Sequence, residues 1–309
     1  MATSFWIEGA GRGALRETPL GPLAPGHVRV RTRFSGISRG TERLVWSGRV
    51  PAGEYERMRG PFQDGGFPFP VKYGYCAAGR TEDGRRVFVL HPHQDVFDVP
   101  EAAAIPIPDG VPDEAAPLAA HLETAINALW DHPVRIGDRV AVVGMGAVGL
   151  CVAKLVSRVP GLDLVCVDPS PAARERAPGL RFAESANGRD LVFHASGTAQ
   201  GLAASIDAAG FEGTIVELSW YGEGTVPVPL GGAFHAKRLT LAASQVGSVA
   251  PARRATRTHR QRLELALDLL ADPAIRLDLG APIPFAELPA RYAHALGEHA
   301  SPLPLIAYD

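Results

Sequence analysis

Cysteine is scarce in this chain of 309 residues, which contains only Cys76, Cys151 and Cys166. They are far apart and form no CxxC pair, so they supply neither a zinc knuckle nor a disulfide framework, and a reducing cytoplasm fits. An excess of charge is also lacking, since 31 basic and 33 acidic residues give a formal net charge of -2. We therefore expect neither nucleic acid nor a membrane as a partner.

Long apolar runs are absent as well. The opening residues, MATSFWIEGAGRGALRE, hold no apolar core of a signal peptide, and no later run is long enough to span a bilayer. These absences predict a soluble, cytoplasmic protein. The length exceeds that at which one hydrophobic core usually stops growing, which predicts two domains.

The pattern of the chain changes near Asp113. Before it, β-patterned runs such as HVRVRTRF and RRVFVLHP alternate with Gly- and Pro-rich turns, and Pro51–Pro70 is interpreted as a long loop. After it, DEAAPLAAHLETAINALW predicts a helix. Four later runs, RVAVV, LDLVCVD, DLVFHA and GTIVELS, predict strands of parallel βαβ units. The sequence thus predicts an all-β unit followed by a doubly wound α/β unit.

A glycine turn lies between the first of these strands and a helix. In VVGMGAVGL, Gly144 permits the tight turn, Gly146 lets the backbone approach a pyrophosphate and Gly149 lets helix and strand pack closely. Asp168 closes the next strand, where its carboxylate can accept from ribose hydroxyls and repel a 2′-phosphate. This predicts NAD(H) in preference to NADP(H), the alternative being a turn without a nucleotide. The predicted contacts in the turn are Gly144, Met145, Gly146, Ala147, Val148 and Gly149.

The order of these parts resembles the medium-chain dehydrogenase/reductase superfamily, the zinc alcohol dehydrogenases and their relatives. SGISRGTERLVWSGRVP and PVKYGYCAAG are most similar to its 2-desacetyl-2-hydroxyethyl bacteriochlorophyllide dehydrogenase branch. The resemblance implies a GroES-like catalytic domain over 1–121 and 258–309, a Rossmann NAD-binding domain over 122–257, and a homodimer. It also places Ser35–Gly48, otherwise a polar turn, at the wall of the active-site cleft.

The sequence departs from this family at the catalytic zinc. The positions of the three metal ligands read Ser38, Tyr75 and Ala120, with Pro117 at the position of the glutamate variant. A hydroxyl, a phenol and a methyl group cannot hold Zn²⁺, which needs thiolate, imidazole or carboxylate. The four-cysteine structural lobe is missing too. We therefore expect no zinc in this protein.

Hydroxyl and imidazole groups remain as catalytic candidates. Ser38, Thr41 and Tyr75 can donate to a substrate oxygen. His121 can act as acid or base, and it precedes Thr124, which the resemblance places against the nicotinamide. Each has a structural alternative, as a turn residue, a buried aromatic or a plain helix histidine.

Further candidates stand in three places. His91 and His93 have the i, i+2 spacing of two metal ligands on one strand face, with Cys76 as the one further ligand nearby; the alternative is a substrate-binding or surface loop. Ser196 and Ser219 follow two strand ends, at the edge of the sheet that faces the ligand, and are predicted to contact the cofactor.

Two charged stretches have plainer interpretations. Glu42 matches an acidic residue that the family often has near its site, or it pairs with Arg39 or Arg43. The segment Arg253–Arg262 is interpreted as a solvated linker and helix start, with a steering patch for an acidic substrate as the alternative.

The leading hypothesis is an NAD(H)-dependent oxidoreductase that moves a hydride between nicotinamide and the carbinol or carbonyl carbon of an organic alcohol or ketone, without zinc. A zinc-independent enoyl or quinone reductase is the second hypothesis, which Asp168 disfavours because such relatives commonly use NADPH. A dinucleotide-binding protein without turnover is the third. The branch resemblance implies a ring-bearing small-molecule substrate.

Overall fold

The computed structural model describes residues 1–297 and 301–309. The chain forms two compact units, Met1–Ala120 with Leu267–Asp309, and His121–Ala266. The first is β-rich and mostly antiparallel, and the second contains a parallel sheet. The predicted fold class, a GroES-like unit plus a Rossmann unit, is confirmed. Within the described part of the chain, every helix is too short or too polar to cross a membrane.

The elements follow one another in a regular order along the chain. The strands are β1 (Ala2–Gly9), β2 (Arg12–Thr18), β3 (His27–Gly36), β4 (Asp64–Gly65), β5 (Val71–Lys72), β6 (Ala77–Thr81), β7 (Arg86–Val89), β8 (Val96–Pro100), β9 (Ile105–Pro106), β10 (Arg139–Val143), β11 (Asp163–Val167), β12 (Arg189–His194), β13 (Ala209–Glu217), β14 (Thr240–Ala243), β15 (Ile283–Pro284) and β16 (Leu305–Ala307). The α-helices are α1 (Arg39–Trp46), α2 (Ala119–Asp131), α3 (Ala147–Val156), α4 (Pro171–Glu175), α5 (Ala199–Ala208), α6 (His259–Leu269) and α7 (Leu288–Ala295).

Two sheets form the first unit. One has the order β2-β1-β5-β4, and the other runs β15-β16-β3-β6-β7-β9 with β8 also paired to β3. The second sheet buries a cluster that includes Val30, Val87 and Phe97, and buried and exposed residues alternate along β3 from Val30 to Arg33. β16 pairs antiparallel with β3, so the end of the chain lies in the first unit.

A five-stranded parallel sheet forms the centre of the second unit, in the order β11-β10-β12-β13-β14. Its strand β10 is a continuous buried apolar run over Val140–Val143, which is typical of a strand covered on both faces. Beyond β11, Phe182 makes only an isolated parallel bridge to Cys166. β11 thus lies on one side of β10, and β12, β13 and β14 lie on the other.

Three local features differ from the sequence-based picture. The helix predicted from Asp113 begins only at Ala119, after a 3₁₀ turn over 116–118, because Pro117 lacks an N–H and restricts the residue before it. The segment Ser35–Gly48, for which a polar turn was one alternative, contains helix α1. Arg262, expected in a solvated helix start, is 1% exposed.

Candidate functional site

The glycine turn joins β10 to α3, and its three glycines have different surroundings. Gly144 has a φ of +92°, and a side chain there would lie 2.4 Å from the amide nitrogen of Ser196. A methyl group on Gly149 would lie 1.9 Å from the carbonyl oxygen of Gly144. At Gly146, no atom of the described residues lies within 4 Å of the same position. Two glycines are therefore required by packing, whereas the third borders open space.

Asp168, which follows β11, is fixed beside this turn. Its Oδ2 accepts from the Met145 amide at 2.7 Å and its Oδ1 from the Ser170 amide at 2.8 Å. The carboxylate therefore lies next to the backbone that would approach a pyrophosphate. Ala147 and Val148 begin α3 directly after the turn, so their amides belong to the free N-terminus of that helix.

A hydrogen-bonded cluster links the ends of β12 and β13. His194 is fully buried; its Nδ1 lies 2.7 Å from Glu217 Oε2 and its Nε2 lies 2.6 Å from Ser196 Oγ. Glu217 also accepts from the Ser219 amide at 2.8 Å and from the Tyr221 hydroxyl at 3.1 Å. Although burial acts to raise the pKa of Glu217, the bonds and charge of His194 and the Ser219 amide hold it below its usual value.

The order serine, histidine, carboxylate matches that of a hydrolase triad, but Ser196 Oγ is enclosed. It accepts from the Thr198 amide at 3.2 Å and meets Thr198 Oγ1 at 3.0 Å. A methyl group on Gly201 would lie 2.1 Å from the same oxygen, so the first turn of α5 covers it. The Gly197 amide donates to Ser219 Oγ at 3.0 Å. The cluster therefore fixes the two strand ends to each other.

Three of the predicted catalytic residues meet in the first unit. Tyr75 donates from its hydroxyl to Ser38 Oγ and, at 3.3 Å, to Thr41 Oγ1. Ser38 is buried at the N-terminus of α1, and Thr41 lies in the first turn of that helix. Burial raises the pKa of Tyr75, as does its neighbour Cys76, so the phenol keeps its proton. The three hydroxyls form a proton-bearing cluster.

Glu42, one residue beyond Thr41, is completely buried next to this cluster. Its Oε1 accepts from the Ser38 amide at 2.7 Å, while Oε2 accepts from the Tyr292 hydroxyl and lies 3.0 Å from His93 Nε2. The interpretation as a partner of Arg39 or Arg43 is therefore wrong. The carboxylate instead caps the start of α1 and fixes the backbone of a catalytic candidate.

His93 continues the network away from the hydroxyls. Its Nδ1 lies 2.8 Å from Ser35 Oγ, which lies 2.8 Å from the Tyr308 hydroxyl. Sequence reasoning missed these contacts, because Glu42 and His93 are 51 positions apart and Ser35 and Tyr308 are 273 apart. The only sequence signal was the pair of histidines in HPHQD, and it does not reveal their burial.

His91 has different partners. Its ring stacks on Phe97 at 3.6 Å and on Phe62 at 5.6 Å, and its Nδ1 donates to the Pro92 carbonyl at 2.9 Å. Burial lowers the pKa of His91 to about 3. His91 and His93 lie in the loop between β7 and β8. The prediction that they share one face of a strand is therefore wrong. Among residues 1–297 and 301–309, no group of three or more metal-binding side chains comes together.

The remaining predicted residues lie on or near α2. His121 is buried on this helix, and Thr124 is half-buried one turn later. Ala120, which the resemblance aligns with a zinc ligand, is buried at the start of the helix, and Pro117 is buried in the preceding 3₁₀ turn. The roles of His121 and Thr124 stay predictions.

Comparison with known proteins agrees with this geometry. L-galactonate-5-dehydrogenase of Escherichia coli (strain K12) is 33% identical over 105 residues, 32% of this chain and 30% of that relative. An uncharacterized zinc-type alcohol dehydrogenase-like protein of Haemophilus influenzae is 27% identical over 248 residues, 72% of this chain and 68% of the relative. No protein-family model matches the chain.

The fold recurs in solved structures over the full length. 2R,3R-butanediol dehydrogenase of Bacillus subtilis superposes with a TM-score of 0.77 at 16% identity, covering 100% of both chains. These likenesses show that the chain has the fold of alcohol dehydrogenase-like proteins.

Proposed function

We propose that this protein transfers a hydride between NAD(H) and the carbinol or carbonyl carbon of an organic alcohol or ketone, without catalytic zinc. The observation that carries the proposal is the hydroxyl cluster of Ser38, Thr41 and Tyr75. The resemblance aligns two of its members, Ser38 and Tyr75, with zinc ligands of the family. A group that can donate a proton to an alkoxide thus replaces one that stabilises the alkoxide by positive charge.

The cofactor would be held by the second unit. The free N–H groups at the start of α3 and the open space at Gly146 suit a pyrophosphate, and Asp168 suits the adenosine ribose. Asp168 favours NAD(H) because a 2′-phosphate would bring a second anion against its carboxylate. Since β11 and β12–β14 lie on opposite sides of β10, the nicotinamide half would extend over the ends of β12, β13 and β14.

Bound NADH would supply the hydride to a substrate carbonyl carbon. The residues of this chain would then provide a proton to the carbonyl oxygen, which becomes the hydroxyl of the product. Because the pKa of Tyr75 is raised, the phenol serves as a donor and not as a phenolate base. Ser38 and Thr41 accept from Tyr75, which joins the three hydroxyls in one hydrogen-bonded cluster beside which the substrate oxygen would bind.

A row of aromatic rings supports a ring-bearing substrate, which the branch resemblance implies. Ring centroids lie 5.8 Å apart for Tyr55 and Phe67, 5.7 Å for Phe67 and Tyr73, and 6.1 Å for Tyr73 and Tyr75. Tyr55 and Phe67 are half-buried, so part of this apolar surface is accessible. The row ends at Tyr75, a member of the hydroxyl cluster. A flat substrate ring packed on the row would place an oxygen substituent of that ring beside the cluster.

Metal content and turnover measured on one sample test this proposal. The protein is dialysed against a chelator, its zinc is determined by elemental analysis, and NADH oxidation is followed with a methyl ketone and with a matched enone. We expect turnover of the ketone by protein without stoichiometric zinc. Activity that disappears on chelation and returns with added zinc would overturn the zinc-free mechanism, and activity restricted to the enone would favour an enoyl or quinone reductase.

A further inference from the structure

The loop that follows β14, residues 244–250, is held by a buried arginine. Arg262 is 1% exposed, and its Nε donates to Glu123 Oε1 at 2.9 Å. One terminal nitrogen donates to Asn127 Oδ1 and, at 3.3 Å, to the Ser248 carbonyl, and the other donates to the Val246 carbonyl at 2.5 Å. The guanidinium thus joins two side chains of α2 to two carbonyls of the loop.

Side chains of α2 hold the same loop from a second direction. Asn127 accepts from the Ala250 amide at 3.1 Å and donates to the Gln245 carbonyl at 3.5 Å. The Ser244 hydroxyl donates to Asp131 Oδ2 at 2.6 Å. Both ends of the loop are therefore fixed, although three of its seven residues, Gln245, Gly247 and Ser248, are exposed.

The loop lies at the carboxyl edge of the parallel sheet, where open α/β sheets bind ligands. In the strand order β11-β10-β12-β13-β14, it stands on the opposite side of the glycine turn from Asp168. A dinucleotide with its adenosine at Asp168 and its pyrophosphate at the turn would bring its nicotinamide half toward this side.

We propose that Arg262 is a positioning residue for the nicotinamide half of the cofactor. It fixes the backbone of the loop 244–250 where that half binds, and it does so without being accessible to the cofactor itself. This inference rests on the proposed function, since it requires a dinucleotide in the second unit. A planar fork is needed for the task, because a lysine ammonium cannot reach two side-chain and two backbone acceptors that lie in different directions.

The test compares two ligands on the full chain. NADH and ADP-ribose share the adenosine and the pyrophosphate, whereas only NADH has the nicotinamide. We expect Arg262→Lys to weaken NADH binding about tenfold, the effect of losing one or two hydrogen bonds that place the loop, and to leave the Kd for ADP-ribose within about twofold. Arg260→Lys, on the exposed part of the same helix, is the matched control and should change neither value.

The outcomes separate this inference from the proposed function. A wild-type protein that binds neither ligand would refute the dinucleotide site itself. A wild-type protein that binds both, with Arg262→Lys changing both or neither, would refute the role of Arg262 alone. If Arg262→Lys does not fold, Ser244→Ala removes one hydrogen bond to the same loop. We expect this variant to weaken NADH binding about threefold and to leave the Kd for ADP-ribose unchanged. An equal effect on both ligands there would also overturn the inference.

Discussion

Replacing Gly149 by alanine would place a methyl group 1.9 Å from the carbonyl oxygen of Gly144, whereas ordinary contact begins at 3.4 Å. The backbone of the turn must therefore move by about 1.5 Å, the difference between the two distances. Overpacking of this kind costs about 1–3 kcal/mol, and the helix propensity of alanine offsets about 1 kcal/mol of it. Because the contacted atom is backbone and cannot rotate away, we expect the upper end of this cost, about 3 kcal/mol. The free energy of unfolding should therefore fall by about 2 kcal/mol.

Gly146→Ala is the matched change and should act differently. Its φ of -72° and ψ of -169° are open to alanine, and none of the described residues lies within 4 Å of the added methyl group. Alanine is a weaker N-cap than glycine, which lowers the free energy of unfolding by about 0.5–1 kcal/mol. Alanine also restricts the unfolded chain, which raises the free energy of unfolding by a similar amount. The methyl group would instead occupy the space proposed for the pyrophosphate.

Thermal unfolding and NADH titration of both variants distinguish these effects. We expect Gly149→Ala to lower the Tm by roughly 4–8 °C, and Gly146→Ala to keep the wild-type Tm while NADH affinity falls at least about tenfold through steric exclusion. Wild-type NADH affinity in Gly146→Ala would refute the assignment of the open space to a pyrophosphate. A wild-type Tm in Gly149→Ala would refute the packing argument.

Three further predictions concern other groups. Asp168→Ala should narrow the preference for NADH over NADPH by about 1–3 kcal/mol, which titration of both cofactors would reveal; equal affinities in the wild type would contradict the ribose assignment. Tyr75→Phe and Ser38→Ala should each lower kcat by roughly 10²-fold with NADH affinity unchanged, and full turnover in both would remove the hydroxyls from the mechanism. His91 stays neutral in the folded state down to a pKa of about 3, against 6.5 when unfolded. The unfolded chain therefore binds the extra proton, and stability should fall by up to about 2 kcal/mol between pH 6.5 and 5 in urea titrations, a loss that His91→Gln should abolish.

The sequence predicts most of the second unit, because its signals are local. The three glycines and Asp168 fall within 25 consecutive positions, 144–168, and the strand–turn–helix order around them follows from periodicity alone. Resemblance to a family adds the pairing of Ser38 with Tyr75, which no local pattern contains.

Long-range polar contacts are the part that sequence reasoning does not reach. Pairing with a neighbouring arginine was one of two interpretations of Glu42, which instead meets His93. Arg262 was expected in solvent but meets Glu123, 139 positions away. A charged side chain carries no sequence signal for burial, because its environment is decided by which distant partners the fold supplies. Helix α1 was missed for a related reason: Gly40 and Thr41 are poor helix formers, and the buried Glu42 stabilises the start of that helix from within.

The destination of the hydride tests the central claim most directly. Chelator-dialysed protein is supplied with NADH deuterated at C4 of the nicotinamide on the transferred face, together with an aromatic methyl ketone and its matched enone, and the products are examined by mass spectrometry and NMR. The account predicts deuterium on the carbinol carbon of a secondary alcohol. Deuterium only on the β-carbon of a saturated ketone would contradict it and assign the protein to the enoyl or quinone reductases.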